Sequence, residues 1–389
     1  MRRLLKIICC VAGVWANAAA YAGPAEEAYR KGDYAAAVRL WSLPAMAGDP
    51  QAQQHLGTSY AEGSGVHQDY AVAVIWLRKA SDQGNVIATY DLGILYERGQ
   101  GVAQDYAQAM ALYRRASEKG YAAAQYNLGL MYYHGHGVVS DAGQANVWFQ
   151  KAADQGFAAA QYNLGLAYAQ GMGVAQDYAQ AIALYRKSAN QGFADAETNL
   201  GNMYRNGRGV AQDVAQAVAW FQKAADQGFA PAQYNLGVQY ASGEGVRQDN
   251  GLAIAWFQKA ADQGYASAQH NLGVMYASGI GVVRDDGQAA VWFQKAAEQG
   301  LAASQYNLGV MYENSRGVTR DDGRAVALYR KAADQGYAAA QYNLGVMYAN
   351  GHGVTLDDGQ AVAWYRKAAK QGFADAKAAL DRRHLSIGP

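Results

Sequence analysis

Between residues 122 and 156 the apolar positions fall into two runs separated by a glycine-bearing gap. Ala124, Leu128, Met131 and Tyr132 recur three or four residues apart, and so, after the gap, do Ala145, Trp148, Phe149, Ala152 and Ala153. That spacing predicts two amphipathic helices, and the short gap between them predicts an antiparallel pair. Asp141 stands where the second helix should begin; its carboxylate can accept the orphan amides of the first turn, a cap worth about 1 kcal/mol. Gly156 and the pair Gly135 and Gly137 stand where the two helices should end, and each is read as a residue free to take the left-handed conformation that closes a helix.

The pattern recurs. Gly57, Gly93, Gly129, Gly165, Gly201, Gly237, Gly273, Gly309 and Gly345 follow one another at 36-residue intervals, and the aspartate column runs without a break from Asp69 to Asp357. Nine repeats therefore tile residues 49–372 (49–84, 85–120, 121–156, 157–192, 193–228, 229–264, 265–300, 301–336 and 337–372). A period of this length predicts a solenoid whose units bury their apolar faces only on their neighbours. Residues 23–48 read as an N-terminal capping helix, matching a lone second helix, and residues 373–389 as a C-terminal capping helix and tail. G-x-G closes the first helix in eight of the nine repeats, Ser315 being the exception. The mid-helix glycine is costly, about 1 kcal/mol relative to alanine. It is expected to let the aromatic pair of the second helix, such as Trp148 and Phe149, approach the first-helix backbone.

The run A-x-A-Q-Y-N-L-G-V-M-Y-A-x-G-x-G-V, followed by D-x-x-Q-A and W-F-x-K-A-A-D-Q-G, resembles the Sel1-like repeat family, relatives of the tetratricopeptide repeats, over residues 33–384. The resemblance implies an all-α fold, an α/α solenoid wound as a right-handed superhelix, with a concave groove lined by the first helices. It implies an adaptor rather than one activity, and bacterial exported members are associated with envelope assembly, signalling and host-cell interaction. A cysteine-rich subgroup is described as penicillin-binding and weakly β-lactamase-like, but this chain lacks the paired cysteines of that subgroup.

Composition adds a destination. Residues 1–22 carry a basic start, MRRLLK, an apolar IICCVAGVWA and an A-x-A site at Ala20-Tyr21-Ala22, which predicts a cleaved export signal and a periplasmic or secreted protein. Both cysteines lie within it, so disulfides and thiol chemistry are excluded from the mature chain. No later segment is long and apolar enough to span a bilayer. The net charge of +1 and the lack of a basic run give no case for nucleic acid.

By the tetratricopeptide pattern the groove is formed around Y-N-L-G. The asparagine slot holds Asn127, Asn163, Asn199, Asn235, Asn271, Asn307 and Asn343, with His55 and Asp91 as exceptions. Beside it run Tyr90, Tyr126, Tyr162, Tyr234, Tyr306 and Tyr342, and a turn later come aliphatic residues such as Leu130. A row of amides can pair with the backbone of an extended peptide while tyrosines pack its side chains. Equally, Asn and Tyr can bond between neighbouring repeats and hold the stack together. The slot three residues before the tyrosine carries no Lys or Arg, so a neutral or aromatic segment of a partner protein is expected rather than a C-terminal carboxylate. Arg98, Asn202, Arg205 and Asn206 mark the least regular part of the groove.

No catalytic set assembles: H-E-x-x-H, G-x-S-x-G and the phosphate loop are all absent. No enzyme activity and no cofactor are expected. The D-D-G triplets at Asp285, Asp321 and Asp357 lack the spacing of a calcium loop and suit helix N-termini. His134 and His136 fall in variable loop slots and have no third ligand nearby in sequence, so no metal is expected there. The tyrosines leave an alternative open, a protein that binds envelope glycan such as peptidoglycan, or a weak β-lactamase-like hydrolase.

Overall fold

Twenty-one α-helices and no strand make up the described residues, 23–383, of the computed structural model. The predicted export signal, residues 1–22, lies outside them. Two helices precede the repeats, α1 (Pro24–Arg30) and α2 (Tyr34–Met46). The repeats then run as pairs: α3 (Pro50–Glu62) with α4 (Tyr70–Asp82), α5 (Val86–Arg98) with α6 (Tyr106–Glu118), α7 (Ala122–His134) with α8 (Ala142–Asp154), and α9 (Ala158–Gln170) with α10 (Tyr178–Ala189). Next come α11 (Ala194–Asn206) with α12 (Val214–Asp226), α13 (Ala230–Ser242) with α14 (Asn250–Asp262), and α15 (Ala266–Ser278) with α16 (Asp286–Glu298). The last pairs are α17 (Ala302–Glu313) with α18 (Asp322–Asp334) and α19 (Ala338–Asn350) with α20 (Asp358–Lys370), and α21 (Ala374–Asp381) follows. The chain divides into two compact halves between Ser188 and Ala189.

The aspartate column performs the predicted capping. Asp141 accepts the amide of Gln144 at 2.9 Å, Asp177 those of Ala179 and Gln180 at 2.9 and 3.0 Å, and Asp357 that of Gln360 at 2.9 Å. The closing glycine is left-handed, as at Gly156, where φ is +84°. Of the G-x-G pair, the first glycine caps the helix and the second does something the sequence reading missed. A Cβ on Gly101 would lie 2.3 Å from the Tyr70 carbonyl oxygen, and one on Gly353 2.3 Å from that of Asp322. The second glycine therefore lets each loop sit on the first residue of the preceding repeat's second helix.

Ser315 fills the first glycine slot with φ at +58°, the one left-handed non-glycine among the described residues. That conformation costs an L-residue roughly 1–2 kcal/mol. Ser315→Gly is expected to stabilise the C-terminal half by about 1 kcal/mol in chemical denaturation.

The mid-helix glycine behaves as predicted, with one correction. A Cβ on Gly129 would stand 2.6 Å from two atoms of the Phe149 ring. Trp148 is not part of that contact: it packs on the core shared with the previous repeat, formed by Met110 and Tyr113 of that repeat with Leu128 and Met131 of its own, and Lys151 lies 3.9 Å over its ring. Successive aromatic residues of a helix point about 100° apart, so Trp148 joins the core shared with the previous repeat and Phe149 the core shared with the next.

Glutamines tie the repeats polarly. Gln125 donates to the Ser117 carbonyl of the preceding repeat at 3.4 Å and accepts from Gln155 at the end of its own second helix at 2.7 Å. Gln233 does the same with the Ala225 carbonyl at 3.2 Å and Gln263 at 2.8 Å. Each tie satisfies a C-terminal carbonyl that a helix cannot satisfy itself.

At the N-terminus the sequence reading had a single capping helix; the structure has two. Pro24 opens α1, and its Tyr29 ring meets Tyr34 and Trp41 at 4.9 and 5.6 Å, so the short helix covers the start of the stack. In the last repeats, the second aspartate of D-D-G anchors a loop. Asp286 accepts from Arg284 at 2.8 Å and from Arg316 at 2.9 Å, and these bonds hold its carboxyl down at about 2.

Candidate functional site

The first-helix face carries the tyrosine and asparagine rows, and the structure shows where each goes. Tyrosine is wedged between an aromatic residue of its own second helix and the residue that opens the next repeat. Tyr126 lies 5.7 Å from Phe149 and 5.2 Å from Phe157; Tyr306 lies 5.9 Å from Tyr329 and 5.3 Å from Tyr337. Tyr90, Tyr234 and Tyr342 repeat the arrangement with Tyr121, Tyr265 and Phe373. Tyr162 meets Tyr185 at 5.9 Å. Burial drives the hydroxyl pKa of Tyr90 upward, and that of Tyr121 to about 12. These rings join neighbouring repeats.

The asparagines divide between the halves. In the N-terminal half Asn127 donates to the Tyr90 hydroxyl at 3.3 Å and Asn163 to that of Tyr126 at 3.2 Å, the tie between repeats that the sequence had left as an open reading. In the C-terminal half Asn343 bonds to Tyr306 in the same way. The side chains of Asn235, Asn271 and Asn307 are half-buried and have no hydrogen bond among the described residues. Two causes are local. The residue that would receive Asn235 is Thr198, too short to reach, and the one that would receive Asn307 is His270, whose Nδ1 pairs with Ser304 at 2.8 Å instead.

Asn202 goes further. It occupies the slot held elsewhere by Leu130, Val238 or Val274, and its Oδ1 is buried with no partner among the described residues. An unsatisfied buried acceptor costs about 1–3 kcal/mol. Asn199 is half-buried on the same helix, Asn206 is exposed at its end, and the Arg205 guanidinium stands 5.8 Å over the Phe221 ring. Arg98 is exposed at the end of α5, in the other half. Leu130 is half-buried on α7 beside Tyr126 and Phe149.

Asp91 replaces asparagine in α5. Its carboxylate accepts from Thr58 at 3.1 Å, and burial, reinforced by the like charge of Glu62, raises its pKa to about 7. Its partner in the tyrosine slot is Gln54, so the polar tie persists with other residues.

The histidines of the sequence HGH stack, His134 on His136 at 5.4 Å and His136 on Tyr106 at 4.7 Å. Among the described residues no group of three or more His, Cys, Asp or Glu is placed to hold a metal, and no helix is long and apolar enough to cross a membrane.

Nine consecutive segments of the chain match the Sel1 repeat, from 50–85 through 338–373, each starting one residue later than the boundaries drawn from the sequence. No curated protein sequence matches the chain. Among solved structures it is similar to a protective antigen of uropathogenic Escherichia coli displaying an SLR fold, with 38% identity and a TM-score of 0.77 over 91% of this chain and 76% of that one. It is also similar to a Sel1 repeat protein from Oxalobacter formigenes, with 36% identity and a TM-score of 0.63 over 79% of this chain and 89% of that one. With nine repeats matched over most of its length, the chain belongs to the Sel1 repeat family.

Proposed function

We propose that this protein is an exported, non-enzymatic interaction scaffold that binds an extended segment of a partner protein along the first helices of its C-terminal half. Sel1 repeat proteins are generally protein-interaction scaffolds. The observation that carries the finer reading is the run of unengaged amides, Asn202, Asn235, Asn271 and Asn307, on α11, α13, α15 and α17. Each amide offers a donor and an acceptor, the complement of a peptide bond; Asn235, Asn271 and Asn307 recur at one slot of the repeat, and Asn202 lies one turn along from that slot. Export rests on the composition of residues 1–22, and the similarity to a protective antigen supports it.

A site held ready for a ligand is less stable than it could be. Asn202→Leu restores the aliphatic slot and removes the buried acceptor. It is expected to raise stability by about 1–2 kcal/mol while weakening partner binding. For the function itself, Asn235→Leu with Asn271→Leu in the full chain is expected to cut recovery of the partner protein from the envelope fraction about ten-fold or more, with an unchanged melt. Undiminished recovery, or retention on cell-wall polysaccharide with no protein partner at all, would overturn the proposal.

A further inference from the structure

One repeat lacks both glutamines of the tie; repeat 193–228 keeps Gln227, which donates at 2.7 Å to Glu197 in the other slot. In repeat 85–120 the two tie positions are Thr89 and Lys119, and the lysine slot of the second helix holds Arg115. In six of the other repeats that lysine lies over a tryptophan one turn earlier, as Lys151 does over Trp148 and Lys223 over Trp220. Here the tryptophan slot is Leu112, so the cation has no ring to rest on. Arg115 turns instead into the gap left by the missing glutamine. Its Nη2 donates to the Ser81 carbonyl at 2.6 Å, the carbonyl that a glutamine at position 89 would serve, and also to the Ser81 hydroxyl and, at 3.2 Å, to that of Thr89.

The guanidinium does not fill the gap. A cavity of about 170 Å³ remains, lined by Ser81, Asp82, Val86, Thr89, Arg115 and Lys119 among others. A cavity of roughly 150 Å³ is enough to admit a molecule the size of benzene. Lys119 donates to the Gly84 carbonyl at 3.2 Å, and neither cation forms an ion pair among the described residues. The remaining guanidinium nitrogens have no acceptor among those residues. Val86 begins α5, whose first intrahelical bond, Thr89 amide to Asn85 carbonyl at 3.0 Å, leaves the amides of Val86 and Ile87 outside the helix ladder. Asp82 is the only carboxylate in the lining.

We infer that this cavity binds a small oxyanion, a phosphate or carboxylate group, between Arg115 and Lys119 at the start of α5. Two cations and a helix start converge on a space of the right size, and in seven of the other eight repeats a glutamine pair replaces this arrangement. The site shares no residue with the asparagine row and does not depend on it.

Calorimetric titration of the full chain with inorganic phosphate, and separately with malonate, tests the inference. Saturable binding of one equivalent is expected, with a Kd of about 1 mM, and the anion with the smaller Kd identifies the group. Lys119→Gln should weaken binding about ten-fold. Thr89→Gln with Lys119→Gln rebuilds the glutamine tie; it should abolish binding while the melting temperature holds or rises, which separates loss of the site from loss of the fold. No saturation with either anion, or unchanged affinity in the double variant, would overturn the assignment.

Discussion

Gly237→Ala is expected to destabilise the C-terminal half, the reverse of what helix propensity predicts. On a free helix the change would gain about 1 kcal/mol. Here the added Cβ would stand 2.7 Å from two atoms of the Phe257 ring and 3.2 Å from the Ala253 carbonyl oxygen. Phe257 is 2% exposed, enclosed by Ala253, Ala260 and Leu272, and has nowhere to retreat. Overpacking of this kind costs about 1–3 kcal/mol, occasionally more, and outweighs the propensity gain. Gly237→Leu should lose about 3 kcal/mol or more and lower the melting temperature by roughly 10 °C. An unchanged melt for leucine, or a raised one for alanine, would show that the glycine column does not exist for packing.

The second large effect is a pH dependence at Asp91. Its folded pKa, about 7, lies above the value of about 4 for an unfolded aspartate. The folded state therefore holds a proton that the unfolded state has released, and stability falls as pH rises between those two values. Asp91→Asn removes the titration and restores the residue found in seven of the other slots. The stability of the variant relative to the parent should climb as pH rises from about 4 and level off above about 7, by up to roughly 4 kcal/mol. The neighbouring His55, lowered by burial, and Glu62, raised by burial, are present in both proteins and largely cancel in the comparison. Denaturation at a series of pH values reads the difference directly, and a constant difference across the series would contradict a buried, protonated carboxyl.

Much of the fold was legible because the repeat is its own alignment. Fixed columns such as Asp141, Gly129 and Gly156 each answer a local requirement, a cap, a close approach or a left-handed turn, and local requirements can be read from sequence. What escaped depends on partners a whole repeat away. Nothing in G-x-G says that the second glycine, Gly101, touches Tyr70, and nothing in the sequence W-F says which ring faces the previous repeat. The asparagine row looked uniform in sequence and is not uniform in function. Whether an amide is engaged depends on the residue 37 positions earlier, Tyr126 before Asn163 but Thr198 before Asn235. That signal was present and could have been found by reading the two columns against each other. The cavity beside Arg115 was legible in the same way, as the simultaneous loss of a glutamine pair and a tryptophan from one repeat.

The central claim is that the first-helix face of the C-terminal half receives a partner protein. Photo-leucine placed in cells at Val238, one helical turn from Asn235, or at Val291, 49% exposed on α16, tests it most directly. The account predicts a discrete protein adduct from Val238 that disappears with Asn235→Leu and Asn271→Leu, and none from Val291. An adduct from Val291 alone, or one from Val238 that the asparagine changes leave intact, would contradict it.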